Sequence, residues 1–210
     1  MPTRIKVCGI TRLEDALLSA ELGADALGFN FYRPSPRYIE PAEAGAIIAQ
    51  LPPFVTAVGV YANETEMDHV NSIAAEAGVG AIQLHGPQFP EPAQRPCGYA
   101  LIRAVAVAED FKAESLSALQ VNAFLLDTFH PDLSGGTGRQ FNWELAREAG
   151  RYGTIILAGG LNPRNVGRAI QEVHPYAVDV ASGVESAPGK KDATLLRAFF
   201  AAVREADRNL

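Results

Sequence analysis

The stretch Ile5-Lys6-Val7-Cys8-Gly9-Ile10-Thr11, close to the N-terminus, decides how the rest of the chain is read. Successive side chains of a strand point to opposite faces, so Lys6 and Cys8 share one face and Ile5 and Val7 the other. A glycine turn and a helix start follow directly. Unpaired polar groups are costly to bury, so a lysine and a thiol aimed together into an interior imply polar surroundings. The strand has an apolar back and a polar front.

Eight short apolar runs repeat this plan: Ile5–Cys8, Ala24–Phe31, Val55–Tyr61, Ala81–His85, Ala100–Val105, Ala123–Asp127, Thr154–Ala158 and Ala177–Ala181. Each is followed by a stretch able to carry a helix, and such alternation indicates βαβ units and a parallel sheet. Thr11 and Glu14 form a capping box for a helix that Gly23 stops. Pro41 suits a first helical position. Asn63 and Glu66 open a helix closed by Gly78, Asn162-Pro163 reads as an N-cap with proline at N1, and Asp192 starts the last helix. The fourth unit is the exception, since Pro87, Pro90, Pro92 and Pro96 allow only a short, irregular helix.

Within the strands, one face carries Ile5 and Val7, Leu27 and Phe29, Val58 and Val60, Ile82 and Leu84, Phe124 and Leu126, Ile155 and Leu157, Val178 and Val180. The other carries Lys6 and Cys8, Gly28 and Asn30, Ala57 and Gly59, Gln83 and His85, Arg103, Ala123 and Asp127, Ala158, Ala177 and Asp179. Large residues packed under a ring of helices, with small and polar ones lining a closed interior, predict a (β/α)8 TIM barrel spanning 1–210 as a single domain. An open doubly wound sheet, covered on both faces, would show near-continuous apolar strands instead.

The bulk properties are those of an ordinary globular chain. The chain has 210 residues, 48% of them hydrophobic and 20% charged, and a formal net charge of −6 with no basic run, which argues against a nucleic-acid surface. Two cysteines, no secretory segment after Met1 and no apolar run of membrane-spanning length point to a reduced cytoplasm and no membrane association. A Cys8–Cys97 disulfide is open on counting alone, but the chain lacks the cysteine density of a disulfide scaffold.

The polar inward residues gather at the C-terminal ends of the strands, where barrel enzymes keep their chemistry. Cys8, His85, Asp127 and Asp179 all lie there. Ala158-Gly159-Gly160-Leu161 and Ala181-Ser182-Gly183-Val184 follow successive strands, and loops of this kind bind phosphate through backbone N–H groups. Gly159, Gly160, Ser182 and Gly183 are the candidate phosphate contacts. Ser134-Gly135-Gly136-Thr137-Gly138 is a flexible loop able to close over a substrate. Pro34-Ser35-Pro36-Arg37 fixes a guanidinium suited to a carboxylate or, equally, to solvent. Cys8 and Asp127 form the candidate base and acid, with Lys6 expected to lower the thiol pKa. His85 is either catalytic or a satisfied polar residue. The histidines and cysteines show no ligand spacing, so no metal is expected.

These motifs, with Gln83-Leu84-His85-Gly86, Leu126-Asp127, Asp179-Val180-Ala181-Ser182-Gly183-Val184-Glu185 and Pro188-Gly189-Lys190-Lys191-Asp192, resemble phosphoribosylanthranilate isomerase over the whole chain. The resemblance implies a cofactor-free Amadori rearrangement of a phosphosugar. Asp127 would be the general acid at the ring oxygen and Cys8 the base at C2′. Arg37 would hold the anthranilate carboxylate, Asp179 the sugar hydroxyls and the two glycine loops the phosphate; Lys6, Gln83, His85 and Gly136 complete the expected substrate-binding set. A monomer is expected, with a dimer as the alternative. The competing readings are the analogous isomerase of histidine biosynthesis, disfavoured by Cys8 and by the lack of an internal repeat, and a non-catalytic phospholigand-binding barrel, disfavoured by the presence of both Cys8 and Asp127.

Overall fold

The computed structural model describes residues 1–87, 90, 98–107, 111–127 and 143–210. Strands and helices alternate: β1 (Arg4–Cys8), α1 (Leu13–Leu22), β2 (Ala26–Asn30), α2 (Pro41–Ile48), β3 (Thr56–Ala62), α3 (Met67–Ala77), β4 (Ala81–His85), β5 (Ala100–Ala106), β6 (Ala123–Asp127), α4 (Trp143–Ala149), β7 (Ile155–Ala158), α5 (Val166–Val173), β8 (Ala177–Val180), β9 (Glu185–Ala187), β10 (Lys190–Lys191) and α6 (Ala193–Arg208). Strands β1 to β8 pair in parallel and in sequence order, and β8 closes onto β1. The (β/α)8 barrel expected from alternation is therefore the architecture. A small antiparallel hairpin, β9–β10, is added between β8 and α6. Among the described residues no helix is long and apolar enough to cross a membrane.

Two apolar layers hold the barrel. The outer one packs Ile5, Val7, Leu27, Phe29, Ile82, Phe124, Leu126 and Leu157 beneath the helices. The inner one is thinner, with Val58, Ala81, Ile102, Leu125 and Ile156 filling the interior. Two strands have the opposite phase to that expected. On β3, Val58 lies inside while Ala57 and Tyr61 belong to the outer layer. The rings of Tyr61 and Phe31 fill the space over Gly59, where a Cβ would come within 2.9 Å of Tyr61. On β5, Ile102 and Ala104 face inward, which puts Arg103 on the outer face, where it donates to the Gly86 carbonyl. A one-residue phase error exchanges every side chain between the faces, and residue size alone misleads where aromatic neighbours occupy a glycine's space.

Helix ends follow the expected signals in part. Gly23 and Gly78 take left-handed conformations behind α1 and α3, and Pro41 opens α2. Asp192 accepts from the N–H groups of Thr194 and Leu195 at the start of α6, a cap worth about 1 kcal/mol. Leu196, Phe199, Phe200 and Val203 then bury the inner face of α6, at roughly 1.5–3 kcal/mol per large side chain. The capping box at α1 does not form: Arg12 is the N-cap without a side-chain bond, and the Thr11 hydroxyl donates instead to the Gly189 carbonyl at 2.6 Å. Helix α5 starts at Val166 rather than at Pro163, because Asn162 and Asn165 shape the preceding loop. Between β5 and β6 the chain forms a 3-10 helix, Ala113–Ala118. Ser115 and Ser117 donate to carbonyls three residues back, which suits that tighter winding. The proline-rich fourth unit, Cys97 and the Ser134–Gly138 loop with Gly136 lie outside the described residues.

Candidate active site

Cys8 ends β1 with Gly28 beside it on β2. A Cβ at Gly28 would lie 2.7 Å from Cys8 Sγ, so the missing side chain is what admits the thiol. Cys8 is free and partly accessible at the C-terminal mouth. Two residues deeper, Lys6 is paired in register with Asp179 of β8. Lys6 Nζ donates to Asp179 Oδ1 at 2.9 Å, with side chains only 3% and 10% exposed. Burial alone would strip the Lys6 proton, but attraction to Asp179 and Cys8 prevails and raises its pKa. The thiol responds differently from the sequence expectation. Burial pushes Cys8 up, Lys6 pulls it down, Asp179 pushes it up again, and the net direction is upward. Lys6 does favour the thiolate, but its own counter-ion returns a negative charge to the same place. Asp179 keeps acceptor capacity on its carboxylate for a hydroxyl beyond Lys6.

His85, at the end of β4, is half-buried above Gln83. The Gln83 Nε2 lies 2.6 Å from His85 Nε2; an amide N–H donating there leaves the ring proton on Nδ1. Gln83 is only 1% exposed, so it supports the imidazole from below rather than reaching the mouth. Its Oε1 is buried without a partner among the described residues. Burial, with repulsion from Lys6, lowers the His85 pKa from 6.5 to about 4, so the ring is neutral at neutral pH. The folded value lies below the unfolded one, so the associated stability is complete above pH 6.5 and drains away as pH falls toward 4. Between pH 7 and 5 the wild type should lose about 2 kcal/mol through this group. In urea titrations His85→Gln should show a correspondingly flatter pH dependence; equal slopes would refute it.

Arg37 lies over Gly9, where a Cβ would come within 2.5 Å of Arg37 Cδ. Its guanidinium grips Glu185, with Nε 2.9 Å from Oε1 and an Nη2 bond of 2.6 Å to Oε2. Glu185 also accepts from Lys191 Nζ at 2.8 Å. Hydrogen bonds from Arg37 and Lys191 outweigh burial and hold the Glu185 carboxyl below its usual range. A guanidinium has five N–H donors, so the Glu185 bonds orient Arg37 and leave donors for a second carboxylate. The surface-arginine reading fails: the side chain is 23% exposed. Asp127 is half-buried at the end of β6, between Ala106 of β5 and Ala158 of β7 in register. By closure of the barrel it stands three strands from Cys8 through β7 and β8.

The two glycine loops meet. Gly159 and Gly160 both take positive φ, 88° and 63°. Asn162 and Asn165 side-chain amides donate to the Gly160 carbonyl at 3.1 and 3.0 Å, anchoring it. Ser182–Val184 forms a 3-10 turn after β8, and the first N–H groups of such a turn have no internal acceptor. Gly183 presses on the neighbouring loop so closely that a Cβ would lie 1.9 Å from the Leu161 carbonyl oxygen. Gly183→Ala should therefore cost about 1–3 kcal/mol of stability. It should also raise KM for a phosphorylated substrate about tenfold through one lost charge-assisted bond. Gly160→Ala meets nothing within 4 Å and should show only the modest left-handed penalty of about 1–2 kcal/mol. Melting curves and KM for the two variants check this.

Among the described residues no group of three or more His, Cys, Asp and Glu side chains could hold a metal ion. Three residues that shape the mouth were not singled out from the sequence: Glu185 and Lys191, which lie within motifs that carry the resemblance, and Asp15, whose Oδ2 accepts from the Lys191 N–H at 2.9 Å. The usable signal was Pro188-Gly189, a hairpin turn ahead of a two-residue strand whose alternation exposes Lys190 and buries Lys191.

A closed (β/α)8 barrel with a thiol, an imidazole, carboxylates and a clamped guanidinium at its C-terminal mouth defines a barrel enzyme. The family described as N-(5'-phosphoribosyl)anthranilate (PRA) isomerase matches residues 5–202. An N-(5'-phosphoribosyl)anthranilate isomerase of Pelobacter propionicus is 47% identical over 205 residues, 96% of either chain. The crystal structure of the Thermus thermophilus enzyme is 40% identical, covers 97% of this chain and 99% of its own, and superposes with a TM-score of 0.86. A phosphoribosylanthranilate isomerase solved with reduced 1-(o-carboxyphenylamino)-1-deoxyribulose 5-phosphate is 42% identical over 97% of this chain and 99% of its own, with a TM-score of 0.81. The chain belongs to the phosphoribosylanthranilate isomerase family.

Proposed function

We propose that this chain isomerises N-(5-phosphoribosyl)anthranilate to 1-(2-carboxyphenylamino)-1-deoxyribulose 5-phosphate, a step of tryptophan biosynthesis, without cofactor or metal. The observation that carries the reading is the placement of Cys8 and Asp127 at one barrel mouth with Arg37 oriented beside Cys8, in a chain of this family. Asp127 protonates the furanose ring oxygen as the C1′–O bond breaks, and the anilino nitrogen lone pair forms the Schiff base. The Cys8 thiolate then removes the C2′ proton, and those electrons give the enolamine, which tautomerises to the ketose. No atom is gained or lost.

Arg37 binds the anthranilate carboxylate, Asp179 the sugar hydroxyls, and the Gly159-Gly160 and Ser182-Gly183 backbones the phosphate. Lys6 holds Asp179, and His85, supported by Gln83, serves as a neutral hydrogen-bonding partner. Gly136 is assigned to the substrate-closing loop. The working unit is one domain, 1–210, acting in the cytoplasm as a monomer, with a dimer as the alternative that sedimentation at assay concentration would reveal.

Phosphoribosylanthranilate made in situ loses its fluorescence on isomerisation. Purified protein should accelerate that loss, and binding without turnover would support a non-catalytic barrel instead.

A further inference from the structure

Lys191 takes no part in the proton transfers above, yet its side chain is completely enclosed, at 0% exposure. An ammonium has three N–H donors, and here each has an acceptor: Cys8 O at 2.6 Å, Ala181 O at 3.3 Å and Glu185 Oε1 at 2.8 Å. These acceptors belong to different parts of the mouth. Cys8 is the candidate base itself, Ala181 precedes the Ser182-Gly183 turn, and Glu185 is the carboxylate that grips Arg37. From behind, Asp15 on α1 holds the Lys191 backbone. One side chain thus ties together the thiol strand, a glycine loop and the guanidinium.

The charges around Cys8 sharpen the point. Lys6 on β1 is matched by Asp179 on β8. Arg37, from the loop after β2, and Lys191, from β10, share the single carboxylate of Glu185. His85 on β4 is neutral, and Asp127 lies across the mouth on β6. The Arg37–Glu185–Lys191 group sets two cations on one carboxylate, with the Asp15 carboxylate behind Lys191, beside the Cys8 thiol and where an anionic ligand would enter.

We propose that Lys191 is a positioning residue for the isomerisation, fixing the Cys8 backbone against the Ser182-Gly183 turn and Arg37 and supplying positive charge that helps the thiol act as a base. The inference rests on Cys8 being that base.

The test uses the full chain in a Cys97→Ser background, where Cys8 is the sole thiol. Lys191→Met and Lys191→Arg are compared by kcat and KM, by the pH midpoint of Cys8 alkylation with iodoacetamide, and by thermal melting. In Lys191→Met the alkylation midpoint should rise by about one pH unit, kcat should fall about 100-fold and KM should rise about tenfold. Lys191→Arg keeps the charge and should bring the midpoint back toward wild type while kcat recovers only in part. A lower melting temperature with an unmoved midpoint in Lys191→Met would reduce the residue to a structural strut and overturn the proposal. Should Lys191→Met fail to fold, Glu185→Gln removes the shared negative charge and must lower the midpoint; an unchanged or higher midpoint there is equally fatal. Wild-type protein inactive on phosphoribosylanthranilate would defeat the functional reading, whereas the alkylation midpoints would still judge Lys191.

Discussion

Cys8→Ala should lower kcat on phosphoribosylanthranilate by about 10³-fold, with the barrel intact, because general base catalysis contributes roughly 10²–10⁴. The fold should survive. The alanine Cβ occupies the position of the cysteine Cβ, the carbonyl that Lys191 binds is retained, and only the Sγ packed at Gly28 is removed. The pH profile gives a second readout. A thiol whose pKa is raised is mostly protonated at neutral pH, so wild-type kcat/KM should climb with pH as thiolate accumulates. The residual rate of Cys8→Ala should lack that rise. Cys8→Ser should also be strongly impaired, since a hydroxyl is a far weaker acid and supplies almost no conjugate base. Full activity in Cys8→Ala, measured by the fluorescence decay of the substrate, would remove the thiol from the mechanism.

Asp127→Asn should be comparably damaging, again by about 10²–10⁴ in kcat, but for the opposite half of the chemistry. The amide preserves the size of the side chain and has no acidic proton for the ring oxygen. KM should change little if the residue acts mainly in the transition state. Two measurements separate the pair. In Asp127→Asn the Cys8 thiol should still alkylate with its usual pH dependence, whereas ring opening should become rate-limiting. Combining both substitutions should cost less than the product of the single effects, because residues that act as one unit are not additive. A double mutant whose loss equals that product would mean the two residues act independently.

The alternation Ile5-Lys6-Val7-Cys8 was enough to find a polar-fronted strand, and its repetition was enough for the barrel, because strand period and burial are local properties of the chain. The final helix and its Asp192 cap were legible for the same reason. The phases of β3 and β5 were not. Whether Val58 or Ala57 faces inward depends on Tyr61 of the same strand and Phe31 filling the space at Gly59, and the Phe31 ring arrives from the end of β2. The Thr11 hydroxyl likewise looked like a helix cap until Gly189 took it.

In the site, the sequence by itself determined which residue types stand at the strand ends, Cys8, His85, Asp127 and Asp179, and in the loops beyond them, the two glycine loops and Arg37. Only the tertiary structure decided their electrostatic states. Lys6 was read as favouring the Cys8 thiolate, which it does, but burial and the Asp179 charge that closure of β8 onto β1 brings leave the thiol pKa raised. Arg37 was read as equally suited to solvent, and the β9–β10 hairpin brought Glu185 and Lys191 to it. Charge–charge energies depend on distance and on exclusion of water rather than on separation along the chain, so the partners of a buried charge come from the fold, while the positions that can carry one come from the strand period.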